Sequence, residues 1–287
     1  MAPDDADEVP GYVFDRVRTD EERRLQDQST LLDDLTERLF RDAGLRKDMR
    51  VLELGSGAGD VAMLAARIVG ANGEVVGMDA SPQAIATARR RAAEAELSHV
   101  TFLEADLREL DGALDPSWPE FDALIGRLVL QFMPDPAEVL RVAADSVRPG
   151  GLVCFQECDH HYPYAYPQTE LWNQVRFWFQ GALDHAGVEK HMGLRLFETF
   201  CSADLPAPEL RLEATIAGGE RAPAFMWADL IRSVIPTLER AGIATMAEID
   251  PDTLEERLLA DTVAADGVVL TMVMVGAWSR KPAAPQA

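Results

Sequence analysis

The chain has 287 residues, 47% of them apolar and 26% charged, enough to bury a large core without disulfides or structural metals. Its 49 acidic residues outnumber 27 basic ones, a formal net charge of −22. A surface that negative repels phosphate, so neither nucleic acid nor an anionic membrane is expected as a partner. Cys154, Cys158 and Cys201 are too few, and odd in number, for a disulfide framework. The acidic start MAPDDADEVP lacks a secretory pattern, and no apolar run reaches the ~18 residues of a membrane span, so a cytoplasmic location is expected.

Residues 1–18 read as a flexible N-terminus with Tyr12, Val13 and Phe14 as anchors. Over 19–46 a helix is expected: Leu25, Leu32, Leu35 and Leu39 fall near helical spacing, and Gly44 is its stop. Val51–Leu54 is a short apolar strand, and Asp60–Val69 a helix through Val61, Leu64, Ala65 and Ile68. EVVGMD is the second strand. The next helix opens with Ser81 as N-cap and Pro82 at its first position. VTFLEAD is the third strand, FDALIGRLVL the fourth, PAEVLRVAADSV a helix, RPGG a turn, and LVCFQEC the fifth strand. Strands alternating with helices predict a doubly wound α/β sheet, mostly parallel, with helices on both faces.

Beyond Cys158 the alternation breaks. DHHYPYAYPQ reads as a loop, TELWNQVRFWFQGALDHA and LRLFETFCSADL as helices, and ELRLEATIAG as a strand. Residues 222–265 read as helical segments divided by Pro223, Pro236 and Pro251. GVVLTMVMVGAW is a last long strand, completing seven, and 281–287 a disordered tail. One domain over 19–280 is expected: a core over 47–158, with 159–193 and 222–265 as insertions forming a lid.

Directly after the first strand, VLELGSGAGD places Gly55, Gly57 and Gly59 at alternate positions. A glycine-rich turn there suits a nicotinamide or flavin dinucleotide, or S-adenosylmethionine. The dinucleotide fingerprint asks for a small residue where Asp60 stands, which counts against a pyrophosphate. ELGSGAGD resembles the first motif of the class I, Rossmann-like methyltransferases. That resemblance implies S-adenosylmethionine as cofactor. It implies that Gly55, Ser56, Gly57 and Gly59 let the backbone approach its methionine and ribose, and that Glu53 holds the loop or meets the methionine ammonium. Asp79, followed by Ala80, ends the second strand and would accept from both ribose hydroxyls. Asp106 would bond the adenine amine, with Leu107 donating its backbone N–H to the ring. FDALIGRLVLQFMPDP resembles the fourth-strand motif, putting Gly126 and Arg127 near the methionine part. The segment from Glu22 to Asp60 is similar to the N-terminal helix and first motif of quinone-biosynthesis methyltransferases, a small-molecule branch. In such relatives this helix covers the cofactor, which would bring Gln28 to it. Those enzymes usually lack a long helical insertion between the last two strands.

Methyl transfer needs nucleophile, methyl and sulfur in line, and a base where the acceptor carries a proton. The acceptor pocket is expected over the fourth and fifth strands, roofed by the lid. His160 and His161, directly after the fifth strand, are the candidate bases. Tyr162, Trp178, Phe225 and Trp227 are candidate pocket walls; at helical spacing Trp178 is more often core, whereas the insertion that carries Phe225 and Trp227 suits a pocket lid more than a core element. No metal-ligand spacing is present. Cys158 and Cys201 read as buried thiols, and Arg195 as a surface ion pair. A small-molecule methyltransferase is the leading function. A non-catalytic S-adenosylmethionine-binding protein and a nicotinamide-dependent oxidoreductase are the alternatives, and a homodimer is an assembly such chains commonly form.

Overall fold

The computed structural model describes residues 32–110, 114 and 117–283. Tyr12, Val13, Phe14, Leu25, Gln28 and the tail 284–287 lie outside the described residues. Helix α1 covers 32–43. Then follow β1 (Arg50–Leu54), α2 (Asp60–Val69), β2 (Glu74–Asp79), α3 (Pro82–Glu94), β3 (Val100–Glu104), β4 (Phe121–Arg127), α4 (Pro136–Asp145) and β5 (Val147–Asp159). The second half adds β6 (Ala165–Tyr166), α5 (Glu170–His185), α6 (Met192–Ser202), β7 (Glu209–Glu213), β8 (Ile216–Gly218), α7 (Ala224–Arg240), α8 (Met246–Ile249), α9 (Leu254–Ala264), β9 (Val268–Leu270) and β10 (Val273–Arg280).

Seven strands form one sheet in the order β3-β2-β1-β4-β5-β10-β7. The first five pair in parallel, because the apolar strands are joined by crossover helices. β10 runs antiparallel to both β5 and β7. The order reverses between β1 and β4, and there the carboxyl ends open a crevice. One face of the sheet packs α1, α2 and α3 through Leu39, Phe40, Leu64 and Ala88. The other packs α4 and α6 through Leu140, Leu196 and Phe200. A third core joins α5, α7 and α9 around Trp172, Phe179, Trp227 and Leu258, and reaches Leu32 and Leu35 of α1. This is the lid. Among the described residues no helix is long and apolar enough to cross a membrane.

Several elements differ from the sequence expectation. RPGG is a bulge inside β5: Phe121 pairs with Val147 but Ala123 with Leu152, and Gly150 takes a left-handed φ of 73°. β4 ends at Arg127, and the chain turns at Leu128 before a short 3₁₀ segment at Leu130–Phe132. Pro236 sits inside α7, where burial of Trp227, Ile231, Val234 and Leu238 outweighs a local cost of about 3 kcal/mol. ELRLEATIAG and GVVLTMVMVGAW each split between the main sheet and a small sheet β6-β9-β8. The two breaks face each other and are tied: Thr271 N–H donates to Thr215 O, and Thr215 N–H to Thr271 Oγ1, both at 2.9 Å. Lys281 is fixed, its ammonium donating to Ala144 O and Val147 O at 2.7 and 2.9 Å.

Candidate functional site

The glycine loop joins the buried end of β1 to α2 and is held from three sides. Ser56 N–H donates to Met78 O (2.9 Å), Gly59 N–H to Ser56 O (2.8 Å), and Gly57 N–H to Asp79 Oδ2 (2.9 Å). From α3, Arg91 donates to Ala58 O (2.8 Å) and pairs with Asp60 Oδ1 (2.7 Å). The glycines serve different ends. A Cβ on Gly55 would collide with Val129, and one on Gly59 would lie 2.9 Å from Phe102 and 3.1 Å from Ala88. A Cβ on Gly57 would meet nothing within 4 Å. Gly57 therefore presents bare backbone to open space, while Gly55 and Gly59 let the loop pack down onto the sheet and α3.

Asp79 at the tip of β2 accepts on both oxygens, from Gly57 N–H and from Ser81 N–H at 2.8 Å. It clamps the loop to the neighbouring strand across half-buried Ala80. A carboxylate offers about four acceptor positions, so two remain for hydroxyls. Asp106 caps the short turn Leu107–Glu109 and is gripped by Arg108 at 2.6 Å, which holds its carboxyl below the usual range. Leu107 is buried beneath. Adenine recognition by Asp106 would share the carboxylate with that guanidinium.

Glu53 on β1 is buried. Desolvation pushes its pKa up to about 8, opposed by the charge of Arg127 and reinforced by Asp60 and Asp79. Its Oε2 has no protein partner, nor has Ser56 Oγ. Arg127, at the end of β4, ties α1 down by donating to Asp33 Oδ1 (3.2 Å) and Thr36 Oγ1 (3.0 Å), and Thr36 in turn donates to Gln156 Oε1 at 2.7 Å. Buried acceptors lacking partners recur at the carboxyl ends of the strands: Gln131 Oε1 after β4, and Glu157 Oε2 and Asp159 Oδ2 on β5. An orphaned buried acceptor costs about 1–3 kcal/mol, so this set suits a ligand rich in donors and positive charge. A methionine ammonium, a sulfonium and ribose hydroxyls fit it beside the bare backbone of Gly57. Gln28 lies outside the described residues.

On the acceptor side the two histidines part company. His160 is buried edge-on against Phe179, with rings 5.3 Å apart, and its backbone joins Lys190 and Gln180. Burial pulls its pKa down to about 3, so it stays neutral and is a poor base near neutral pH. Of the two adjacent histidines it is the less suited to serve as base. His161 is exposed. Its N–H is held by buried Asp159 (2.9 Å), its ring lies 5.9 Å from that of His191, and half-buried Tyr162 meets it edge-on at 6.1 Å. Asp159 Oδ2 faces His191 Nδ1 at 3.6 Å.

Trp227 belongs to the lid core and is not an open wall. It stacks on Tyr164 at 3.6 Å, and its indole donates to Leu270 O at 2.8 Å. Phe225 packs against the same cluster. Trp178 is 5% exposed and borders an outer groove with Glu170, Arg257 and Asp261. Arg195 pairs with Glu189 at 2.6 Å, whereas Cys201 is exposed and not buried. Among the described residues no group of three or more His, Cys, Asp or Glu gathers to hold a metal.

Gln156, Thr36 and Val129 did not stand out in the sequence as site residues, and Glu157 did so only among acid, thiol and imidazole groups that lack metal-ligand spacing. The available signal was the pair of polar residues inside the apolar run LVCFQEC.

A family model described as "methyltransferase domain" matches residues 45–198, just over half of the chain. A ubiquinone biosynthesis O-methyltransferase of Alkalilimnicola ehrlichii is 34% identical over 117 residues, 41% of this chain and 44% of that protein. A 2-phytyl-1,4-naphtoquinone methyltransferase of Synechococcus elongatus is 36% identical over 128 residues, 44% of this chain and 52% of that protein. The chain thus spans about half the length of these relatives. The solved structure of the YcgJ protein of Bacillus subtilis shares the fold at 14% identity, with a TM-score of 0.54 over 90% of this chain and all of that one. The match begins before the glycine loop and runs past β5 to α6, so the chain belongs to the methyltransferase domain family, in its class I S-adenosylmethionine-dependent form.

Proposed function

We propose that this chain moves the methyl group of S-adenosylmethionine to a small-molecule acceptor held over the carboxyl ends of β4 and β5, under the helical lid. The observation that carries this reading is Glu53: a buried acid with an unpartnered oxygen, on the strand that runs into the bare backbone at Gly57. When bound, S-adenosylmethionine supplies an electrophilic methyl on a sulfonium. Asp79 would hold the ribose hydroxyls beside Ala80, and Asp106 and Leu107 the adenine. Glu53, Ser56, Arg127 and Gln28 would surround the methionine end. The lid's part is to exclude water and to orient the acceptor. Its boundaries would be 159–193 and 222–265, with Tyr162 and Phe225 toward the acceptor. If the acceptor has a proton to lose, exposed His161 is the one of the two adjacent histidines able to take it.

The net charge of −22 supports a small acceptor over a nucleic acid. A homodimer is the proposed assembly, read by light scattering. Calorimetry should give micromolar binding of S-adenosylmethionine and S-adenosylhomocysteine and none of NAD. A metabolite screen should then show methyl transfer. Binding without transfer to any acceptor would leave a cofactor-binding protein, and NAD binding in place of the adenosyl ligands would defeat the reading. His161→Ala should lower turnover while leaving S-adenosylhomocysteine affinity within about threefold, and full activity would remove it as base.

A further inference from the structure

The turn that leaves β4 is strained and held by one side chain. Leu128 takes a left-handed φ of 55°, an uncommon conformation for a residue with a branched side chain. The next two N–H groups, of Val129 and Leu130, both donate to Glu157 Oε1 on β5, at 3.0 and 2.9 Å. Glu157 is fully buried, and desolvation pushes its pKa up to about 7 against those backbone hydrogen bonds. Burying an acid on a central strand is costly unless it has something to hold. What it holds is a wedge. Val129 fills the space that a Cβ on Gly55 would occupy, so its isopropyl group bears directly on the glycine loop.

We propose that Glu157 is a positioning residue for methyl transfer: by fixing the Val129–Leu130 turn it seats Val129 against Gly55 and so sets where the glycine loop presents the methyl donor. The inference rests on the methyl-transfer reading of the same site. Its chain of contact is explicit: carboxylate, two backbone N–H groups, one isopropyl group, one glycine. Shifting the turn by a fraction of an ångström moves the loop, because packed interiors transmit displacement.

The probe is S-adenosylhomocysteine, measured by calorimetry on the full chain. Glu157→Ala should weaken its binding about tenfold. Glu157→Gln keeps an oxygen for both N–H groups and should restore affinity to within about threefold of the parent. Val129→Ala should weaken binding by about three- to tenfold. The double variant Glu157→Ala/Val129→Ala should be no weaker than Glu157→Ala alone, since both act through one contact. Unchanged affinity in Val129→Ala, failure of Gln to rescue, or simple additivity in the double variant would overturn the proposal. If Glu157→Ala does not fold, Val129→Ala and Glu157→Gln still decide it. A parent chain that does not bind S-adenosylhomocysteine would instead defeat the methyl-transfer reading, which separates the two failures.

Discussion

The strand-tip half and the lid half both bury polar groups, but in opposite ways. At the carboxyl ends of β1, β4 and β5 the acceptors of Glu53, Ser56, Gln131, Glu157 and Asp159 are left without full partners. In the lid the indoles of Trp227 and Trp172 are satisfied, by Leu270 O and by Thr262 Oγ1 at 3.0 Å. Among the described lid residues Tyr164 Oη and Arg176 Nε are the exceptions. One half is left unfinished at five side chains, and the other is closed but for those two atoms. Cofactor capture and lid packing should therefore come apart under mutation.

The largest expected effect is on the closed half. Trp227→Ala removes a fully buried ring that touches Tyr164 and Phe179, a loss of about 3–5 kcal/mol. Melting should fall by roughly 10 °C for a chain this size, while S-adenosylhomocysteine affinity stays within about threefold. Affinity falling in step with stability would mean that the two halves are one unit. Next comes Asp79→Ala, which orphans Gly57 N–H and Ser81 N–H and removes two charge-assisted hydrogen bonds. Ligand binding should weaken by roughly 30- to 100-fold, about 2–3 kcal/mol, with a much smaller melting shift than Trp227→Ala. Unchanged affinity would displace the ribose from β2.

A finer dissection lies within the loop. Both Gly57 and Gly59 have positive φ, so alanine at either is strained by about 1 kcal/mol. Gly59→Ala also pushes into Phe102 and Ala88 and should lower stability by a further 1–3 kcal/mol or so. Gly57→Ala meets no protein atom and should act on ligand affinity, about tenfold, more than on melting. The reverse pattern, read by calorimetry and thermal melts, would put the ligand against Gly59.

This contrast also explains what could be read from the chain. The cofactor half was legible because its signals are local: Ser81-Pro82 opens α3 as expected, and Asp79 stands at the end of EVVGMD. The lid was legible only as helices. Pro236 lies mid-helix because distant side chains bury α7, and the two split strands are set by Thr215 meeting Thr271 across 56 residues. Neither fact has a local signature. His160 illustrates the limit: its sequence position suits a base, but Phe179, 19 residues away, helps to seal it in. What Glu157 holds was hidden for the converse reason, since an acid in an apolar strand declares a cost without naming its backbone partners.

The smallest signal is a proton count, and it tests the unfinished half directly. With a pKa near 8, Glu53 is mostly protonated at pH 7 in the free protein. Raised above the usual carboxylate range, it contributes stability that is fully present below that range and is lost as pH rises through about 8. Glu53→Gln should flatten the melting temperature between about pH 5 and 8. A ligand ammonium beside the side chain favours the carboxylate, so binding at pH 7 should release up to about one proton, and affinity should climb toward pH 8 before levelling. Calorimetry of S-adenosylhomocysteine in two buffers of different ionisation heat measures the release. Glu157, with a pKa near 7, titrates in the same window, so the difference between the parent and Glu53→Gln isolates the β1 acid. An equal proton count in both would mean that the ammonium sits elsewhere, leaving Glu53 as a neutral brace for the loop.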